Sequence, residues 1–116
     1  MSTSVLIADD EQVIREGLLA MPWASLGYVN VRAARNGGEA LEFLDLAPAD
    51  LVLTDVRMPV LDGISLSQTI RKRWPKTRTI ILTGYKDFSD LHGALRARVV
   101  EYLFKPVDPA ELEAVI

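Results

Sequence analysis

Five short hydrophobic runs recur along the chain and predict five β-strands. Four of them are nearly continuous in apolar residues, as is typical of strands that are buried on both faces of a sheet. The second run alternates more between apolar and polar residues, so we expect it to lie toward an edge. The runs cover residues 5–8, 28–31, 51–54, 79–82 and 99–104.

The segments between these runs carry apolar residues at helical spacing, so strands and helices alternate along the chain. Such alternation with short connections predicts a parallel sheet with right-handed crossovers and helices on both faces. The predicted fold class is therefore an open, doubly wound α/β sandwich. The helical positions are Val13, Ile14, Leu18 and Met21, then Ala40, Leu41 and Leu44, then Ile64, Leu66 and Ile70, and then Phe88, Leu91 and Leu95.

A fifth helix is predicted to begin near the end of the sequence. Asp108 is a suitable N-cap, Pro109 suits the first helical position, and Glu111 is placed for a capping box. The sequence ends at Ile116, barely two turns later. We therefore expect this helix to be truncated or to continue in a longer parent protein, with residues 1–116 forming one domain.

Composition narrows the possible classes of protein. Hydrophobic residues make up 49% of the chain and charged residues 25%, which is usual for a globular domain. The net charge of −3 and the scattered basic residues argue against a nucleic-acid surface, and we interpret the cluster 71–73 as a helix C-terminus. With no cysteine, no signal peptide and no apolar stretch of about 20 residues, we expect a soluble domain without disulfides.

Side chains with useful chemistry follow four of the predicted strands, at the point where each strand ends. Because the carboxyl ends of parallel strands line one crevice, we expect these side chains to converge there. Each residue alone has an ordinary explanation, such as a helix cap, a turn or a surface charge, but the whole set is harder to explain in this way. The residues are Asp9 and Asp10, Asp55, Thr83 with Gly84, and Lys105 with Pro106.

The three aspartates would repel one another strongly unless a cation lay among them. Mg²⁺ suits such a site, because it prefers oxygen ligands and leaves positions open for water and phosphate. A carboxylate can accept a phosphoryl group as an acyl phosphate. Asp55 is the best candidate nucleophile because it stands alone at its strand end, whereas Asp9 and Asp10 look like a metal-binding pair. Lys105 and the Thr83 hydroxyl would neutralise phosphoryl oxygens.

Over essentially its whole length, the chain resembles the receiver domains of two-component response regulators. The order and spacing of four short motifs carry this resemblance. They are VLIADDE at 5–11, TDVRMP at 54–59 with LDG at 61–63, LTG at 82–84, and YLFKPV at 102–107. The resemblance implies a flavodoxin-like (βα)5 fold with sheet order 2-1-3-4-5, and a cis peptide bond between Lys105 and Pro106.

The same resemblance implies the chemistry of the site. Asp55 accepts phosphate from the phosphohistidine of a sensor histidine kinase. Asp10, Asp55 and the backbone carbonyl of Arg57 bind Mg²⁺ or Mn²⁺ directly, and Asp9 acts mainly through water. The domain is then no ordinary enzyme but a phosphoacceptor that catalyses its own phosphorylation and slow dephosphorylation.

A conformational switch is also implied by the resemblance. Thr83 and Lys105 contact the phosphoryl group, and Tyr102 swings into the space that Thr83 vacates as it moves. This remodels the face made by the fourth helix, the fifth strand and the fifth helix. A plain strand aromatic is the alternative explanation for Tyr102. By analogy, phosphorylation is a candidate trigger for a homodimer through the fourth and fifth helices.

Two segments, 21–27 and 82–88, are similar to those of receivers fused to AraC-type helix-turn-helix domains. This similarity implies a bacterial, cytoplasmic transcription regulator that contacts DNA only indirectly, through an output domain outside these residues, and no membrane. Ordinary packing explains Trp23 and its neighbours equally well. Receivers of this type usually carry glycine in place of Arg98, so we expect a reshaped turn there. His92 is expected to be an ordinary helix-surface residue.

Two alternatives remain open. A phosphatase of the haloacid dehalogenase type also uses a strand-end aspartate, a threonine, a lysine and Mg²⁺. It requires aspartate-x-aspartate after its first strand, however, whereas Asp9 and Asp10 are adjacent and no cap domain is evident. The second alternative is a receiver that has lost phosphorylation and survives as an interaction module. The presence of every acceptor-site residue argues against it.

Overall fold

The structure, a computed structural model, describes residues 3–84 and 101–116. Within these ranges, strands and helices alternate as the hydrophobic pattern predicts. The strands are β1 (Ser4–Ala8), β2 (Asn30–Ala34), β3 (Leu51–Asp55), β4 (Arg78–Thr83) and β5 (Glu101–Phe104). The helices are α1 (Gln12–Leu19), α2 (Gly37–Leu46), α3 (Gly63–Arg73) and a C-terminal helix (Pro109–Val115).

The five strands form one parallel sheet in the order β2-β1-β3-β4-β5. The predicted doubly wound α/β fold and its strand order 2-1-3-4-5 are therefore confirmed. Every residue of β1 and β3 is buried, because each strand has a neighbour on either side and helices cover the sheet. Such burial explains why their sequences are continuous hydrophobic runs.

Successive residues of β1 pack into two different hydrophobic cores. Val5 and Ile7 lie on the face covered by α1 and the C-terminal helix, which contribute Leu18 and Leu112. Leu6 lies on the opposite face, with α2 and α3. Burial of each such aliphatic side chain stabilises the fold by about 1.5–3 kcal/mol. Because helices cover both faces, the carboxyl edge of the sheet is where side chains remain accessible to a ligand.

The second strand begins later than its sequence predicts. The hydrophobic pattern places it at 28–31, but β2 starts at Asn30. Tyr28 belongs to the preceding loop, where its ring meets Trp23 edge-on at 5.9 Å between centroids. Val29 is 73% exposed, so it does not belong to the core. The apolar residues that suggested an early strand are thus partly packed in the loop and partly exposed.

Some of the sequence-based expectations lie outside the described residues. These are the predicted fourth helix with Phe88, Leu91 and Leu95, the helix-surface position of His92, and the turn at Arg98. For the part of the chain that is described, no helix combines the length and apolar character needed to cross a membrane.

Candidate functional site

The acidic pair begins at the carboxyl end of β1. Asp9 is buried and Asp10 is exposed. The Asp9 backbone N–H donates to the carbonyl of Ala34, 3.2 Å away, which prolongs the pairing of β1 with β2. Its carboxylate Oδ1 accepts a hydrogen bond of 2.9 Å from the backbone N–H of Glu11. The buried aspartate therefore closes the turn into α1, while its neighbour faces solvent.

Asp55 ends β3, the central strand of the sheet, and is 7% exposed. The backbone N–H of Val56 donates to its Oδ1 at 2.9 Å. Helix α3 begins close to this strand end, since the N–H of Gly63 donates to the carbonyl of Val56 at 2.7 Å. The carboxylate is therefore held at a fixed place by the backbone that surrounds it.

Lys105 brings a positive charge to both aspartates. Its Nζ lies 2.9 Å from Asp55 Oδ1 and 3.1 Å from Asp9 Oδ2. The backbone N–H of Lys105 donates to the carbonyl of Thr83 at 2.8 Å, so the residue extends the pairing of β5 with β4. The peptide bond between Lys105 and Pro106 is cis. Residues 96 positions apart in the chain thus meet across the end of the sheet.

Burial and charge act against each other at this site. Burial raises the pKa of the Asp55 carboxyl above its ordinary value; the Asp9 charge adds to that rise, while Lys105 opposes it. Burial alone would lower the pKa of Lys105, but Asp55 and Asp9 outweigh it, so that the pKa of Lys105 is raised. The ammonium therefore stays charged, and it favours the ionised form of Asp55 together with the weaker effect of the Val56 backbone N–H.

The three aspartates fit a metal ion. One carboxylate oxygen from each of Asp9, Asp10 and Asp55 lies within 4.8 Å of the others. Lys105 supplies one positive charge against these three negative ones, so a further cation would relieve the remaining repulsion. The donors are all hard oxygens and Asp10 is open to solvent, which suits Mg²⁺ with water in its remaining positions.

The other predicted site residues lie at or near the same edge. Thr83 is buried at the end of β4, where its hydroxyl donates to the Gly84 carbonyl at 3.0 Å. Tyr102 is half-buried in β5, with its ring 5.5 Å from that of Phe104. Arg57 is exposed, two residues beyond the end of β3. Thr83 thus shares the strand-end position of Asp55, whereas Tyr102 lies further back along its strand.

A family model for the response regulator receiver domain matches residues 5–116. The chain belongs to this family. Its members are the receiver domains of two-component systems; they interact with sensor histidine kinases and generally bind Mg²⁺ at their aspartate cluster. Membership in the receiver domain family leaves no support for the haloacid dehalogenase alternative.

Curated relatives are similar across nearly the whole receiver domain. An uncharacterized response regulatory protein of Staphylococcus epidermidis is 39% identical over 113 residues, and the transcriptional regulatory protein HptR of Staphylococcus aureus is 38% identical over 113 residues. Each match covers 97% of this chain but 44% of the relative. The receiver domain therefore spans less than half the length of these relatives.

Solved structures show the same fold. A two component transcriptional regulator AraC from Clostridium phytofermentans has a TM-score of 0.89 at 37% identity, covering 98% of this chain and 89% of the other. The REC domain of AraT, a response regulator from Geobacillus stearothermophilus, also has a TM-score of 0.89, at 40% identity, covering 99% and 90% of the two chains. The predicted resemblance to receivers of AraC-type regulators is thus confirmed.

The reasoning from sequence does not name Arg15, and it includes Gly63 only within the motif at 61–63, without a role. Arg15 of α1 donates to the backbone carbonyl of Asp9, and Gly63 lets α3 begin against Asp55. Arg15 stands six residues after Asp9, and Gly63 directly follows the aspartate that caps α3. Both contacts depend on tertiary geometry, which the spacing of residues alone does not supply.

Proposed function

We propose that this receiver domain accepts a phosphoryl group on Asp55 from the phosphohistidine of a sensor histidine kinase. The supporting observation is the group of three aspartates whose oxygens lie within 4.8 Å, with Lys105 contacting Asp55 at 2.9 Å and Asp9 at 3.1 Å. A fixed carboxylate beside a fixed positive charge is the arrangement that phosphoryl transfer needs.

The transfer itself requires an oxygen that is free to attack. The hydrogen bonds that the Asp55 carboxylate accepts from Val56 and Lys105 both go to Oδ1, so we assign Oδ2 as the nucleophile. As the bond from Oδ2 to phosphorus forms, the bond from phosphorus to the kinase imidazole breaks. The electron pair of the broken bond stays on the imidazole, and Asp55 becomes an acyl phosphate.

The remaining residues of the site neutralise charge. Asp10, the acceptor carboxylate and the backbone carbonyl of Arg57 would hold Mg²⁺ or Mn²⁺, which supplies positive charge to the phosphoryl oxygens when bound. Asp9 would act through water, because its Oδ1 already accepts from Glu11 and its Oδ2 from Lys105. Lys105 would then contact a phosphoryl oxygen as a point charge.

A switch would follow from the same contacts. The Thr83 hydroxyl would turn from the Gly84 carbonyl toward the new phosphoryl group, and Tyr102 would move into the space that it leaves. Both residues are on the last two strands of the sheet, so the surface around β5 and the C-terminal helix would change. A homodimer formed on phosphorylation stays a prediction from analogy.

The biological effect of the switch would be exerted by an output domain. We propose that residues 1–116 are one receiver domain of a longer, cytoplasmic transcription regulator. Support comes from relatives, since HptR is named a transcriptional regulatory protein and the Clostridium phytofermentans structure a two component transcriptional regulator. DNA would then be bound by the output domain rather than by this receiver domain.

Acetyl phosphate with Mg²⁺ tests the acceptor assignment directly. We expect intact-mass spectrometry to show one added phosphoryl group on the wild-type domain and none on Asp55→Asn. Asp45→Asn is the matched control, because it removes an exposed carboxylate of α2, away from the site, and should be labelled like wild type. Labelling that persists in Asp55→Asn, or that maps to Asp9, would contradict the proposal. A wild-type domain that is never labelled would favour the inert interaction module.

A further inference from the structure

The side chain of Arg15 in α1 contacts the turn that contains Asp9 and Asp10. Its Nη1 donates to the backbone carbonyl of Asp9 at 2.9 Å, across six residues of sequence. The side chain is half-buried, so this contact is partly shielded from water. A guanidinium that donates to a carbonyl in such a place makes a charge-assisted hydrogen bond, which is stronger than one between neutral groups.

The contact fixes a peptide plane rather than a single atom. The carbonyl of Asp9 and the N–H of Asp10 belong to the same rigid peptide unit. With the Asp9 N–H held by Ala34, its Oδ1 by Glu11 and its Oδ2 by Lys105, the Arg15 contact completes the set of partners around Asp9. Holding the carbonyl therefore sets the direction in which the chain enters Asp10.

At the start of α1, this turn is held by the Asp9 carboxylate, which accepts from the backbone N–H of Glu11, and not by a helix cap. The N-cap residue, Glu11, makes no side-chain capping hydrogen bond to the helix. In contrast, α2 and α3 are capped by Asn36 and Asp62, which accept hydrogen bonds of 2.8 Å from backbone N–H groups. The junction of β1 and α1 thus relies on the Asp9 carboxylate and on Arg15, whereas the starts of α2 and α3 rely on a cap.

From these observations we propose that Arg15 is a positioning residue for the acidic pair. It would orient Asp10 toward the metal ion by holding the carbonyl of Asp9, and it would touch neither the metal ion nor the phosphoryl group. The inference rests on the proposed function, because positioning matters only if Asp10 binds a divalent cation. Partners that orient metal ligands from outside the coordination shell commonly change metal affinity by about tenfold or more.

Electrostatics alone would give the opposite sign. Arg15 is a cation near the place where a second cation would bind, so its charge repels the metal ion. Removing that charge would tighten Mg²⁺ binding if Arg15 did nothing else. Removing the hydrogen bond would loosen it if Arg15 orients Asp10. The direction of the change in Mg²⁺ affinity therefore separates the two roles.

The experiment measures Mg²⁺ binding to the unphosphorylated domain by isothermal titration calorimetry. We expect Arg15→Met to weaken binding by about tenfold. Arg15→Lys should fall between Arg15→Met and wild type, because an ammonium can still donate a hydrogen bond to the Asp9 carbonyl but lacks the planar fork of the guanidinium. Arg71→Met is the matched control: it removes an exposed arginine from the last turn of α3 and should bind Mg²⁺ like wild type.

A second control addresses the neighbouring charge of Glu39, whose pKa is lowered chiefly by Arg35 and to a smaller extent by Arg15. Glu39→Gln removes this electrostatic partner of Arg15 and keeps the Asp9 contact, so Mg²⁺ affinity should stay within about twofold of wild type. If Glu39→Gln weakened binding as much as Arg15→Met, the positioning role would be wrong. Urea unfolding without metal should show every variant folded under the titration conditions.

The outcomes distinguish this inference from the proposed function. If Arg15→Met bound Mg²⁺ as tightly as wild type or more tightly, the inference would be overturned. The proposed function would still stand, provided that Asp55 of the wild-type domain was labelled by acetyl phosphate. A wild-type domain that bound no Mg²⁺ would overturn both. Weaker binding in Arg15→Met, with slower labelling by acetyl phosphate that excess Mg²⁺ restores, would support the positioning role.

Discussion

Gly63 lets α3 begin close to the end of β3, because glycine has only a hydrogen atom where other residues carry a Cβ. A Cβ placed on this glycine would lie 1.9 Å from the carbonyl oxygen of Asp55 and 3.1 Å from the Cα of Val56. Both atoms belong to the backbone, so neither can move aside as a flexible side chain would. The close start of α3 beside Asp55 therefore requires glycine.

We predict that Gly63→Ala lowers the free energy of unfolding by about 1–3 kcal/mol, because the methyl group must displace backbone. Urea unfolding followed by circular dichroism measures the change. Gly17→Ala is the control: a Cβ there meets nothing within 4 Å, and alanine is favoured over glycine in a helix by about 1 kcal/mol. Equal effects of the two substitutions would show that steric contact at Gly63 is unimportant.

The membership of the site could be predicted from residue types at strand ends, but the contacts between members could not. Asp55 and Lys105 follow predicted strands, and parallel strands bring their carboxyl ends together whatever the sequence between them. Side-chain conformations decide which oxygen of Asp55 faces Lys105. They also decide whether Arg15 contacts Asp9. Those conformations are set by packing across the whole edge, so sequence spacing does not determine them.

At the scale of elements, buried strands are easier to predict than edges and loops. The hydrophobic runs at 51–54 and 79–82 fall inside β3 and β4, since both strands are covered on two faces. The run at 28–31 misplaces the start of β2, because Tyr28 packs against a loop tryptophan instead of the sheet. A hydrophobic run indicates burial and not a strand as such, and loop residues can also be buried.

The loop between β3 and α3 contains a turn that the sequence does not predict. Val60 has a φ of 73°, and the N–H of Leu61 donates to the carbonyl of Pro59 at 2.8 Å. A hydrogen bond between residues two apart around a positive φ forms a strained γ-turn. A β-branched residue is unusual there, and its side chain is 81% exposed, so little packing offsets the strain.

We predict that Val60→Gly raises the free energy of unfolding by up to about 1 kcal/mol, because glycine adopts positive φ without a steric penalty. Val29→Gly is the matched control, as Val29 is similarly exposed at 73% but has no positive φ. There the added freedom of the unfolded chain should lower stability. Urea unfolding midpoints of the two variants, measured under the same conditions, test whether Val60→Gly is more stable and Val29→Gly less stable than wild type. A loss of stability in both variants would argue against strain at Val60.

For the molecule as a whole, the site exists only when the sheet is complete. Its charged members lie at the ends of β1, β3 and β5, and β4 separates the last two. The aspartates therefore repel one another in the folded domain far more than in the unfolded chain. Folding brings this repulsion with it, and Lys105 offsets part of it.

This repulsion predicts opposite effects of Asp10→Asn with and without metal. In the absence of Mg²⁺, removing one of the three charges should raise the free energy of unfolding, on the order of 1 kcal/mol. Wild type in Mg²⁺ at a hundred times its dissociation constant should gain about 2.7 kcal/mol, because the ion binds only the folded domain. Asp10→Asn should lose most of that gain.

Urea unfolding with EDTA and with Mg²⁺ measures both effects of Asp10→Asn in one protein. Glu42→Gln is the control, since it removes an exposed carboxylate of α2. It should change the free energy of unfolding by no more than a few tenths of a kcal/mol, in EDTA or in Mg²⁺. If Asp10→Asn were less stable than wild type in EDTA, mutual repulsion would not dominate the metal-free site. If it kept the full Mg²⁺ gain, Asp10 would not be a ligand, and the buried Asp9 would have to supply that role.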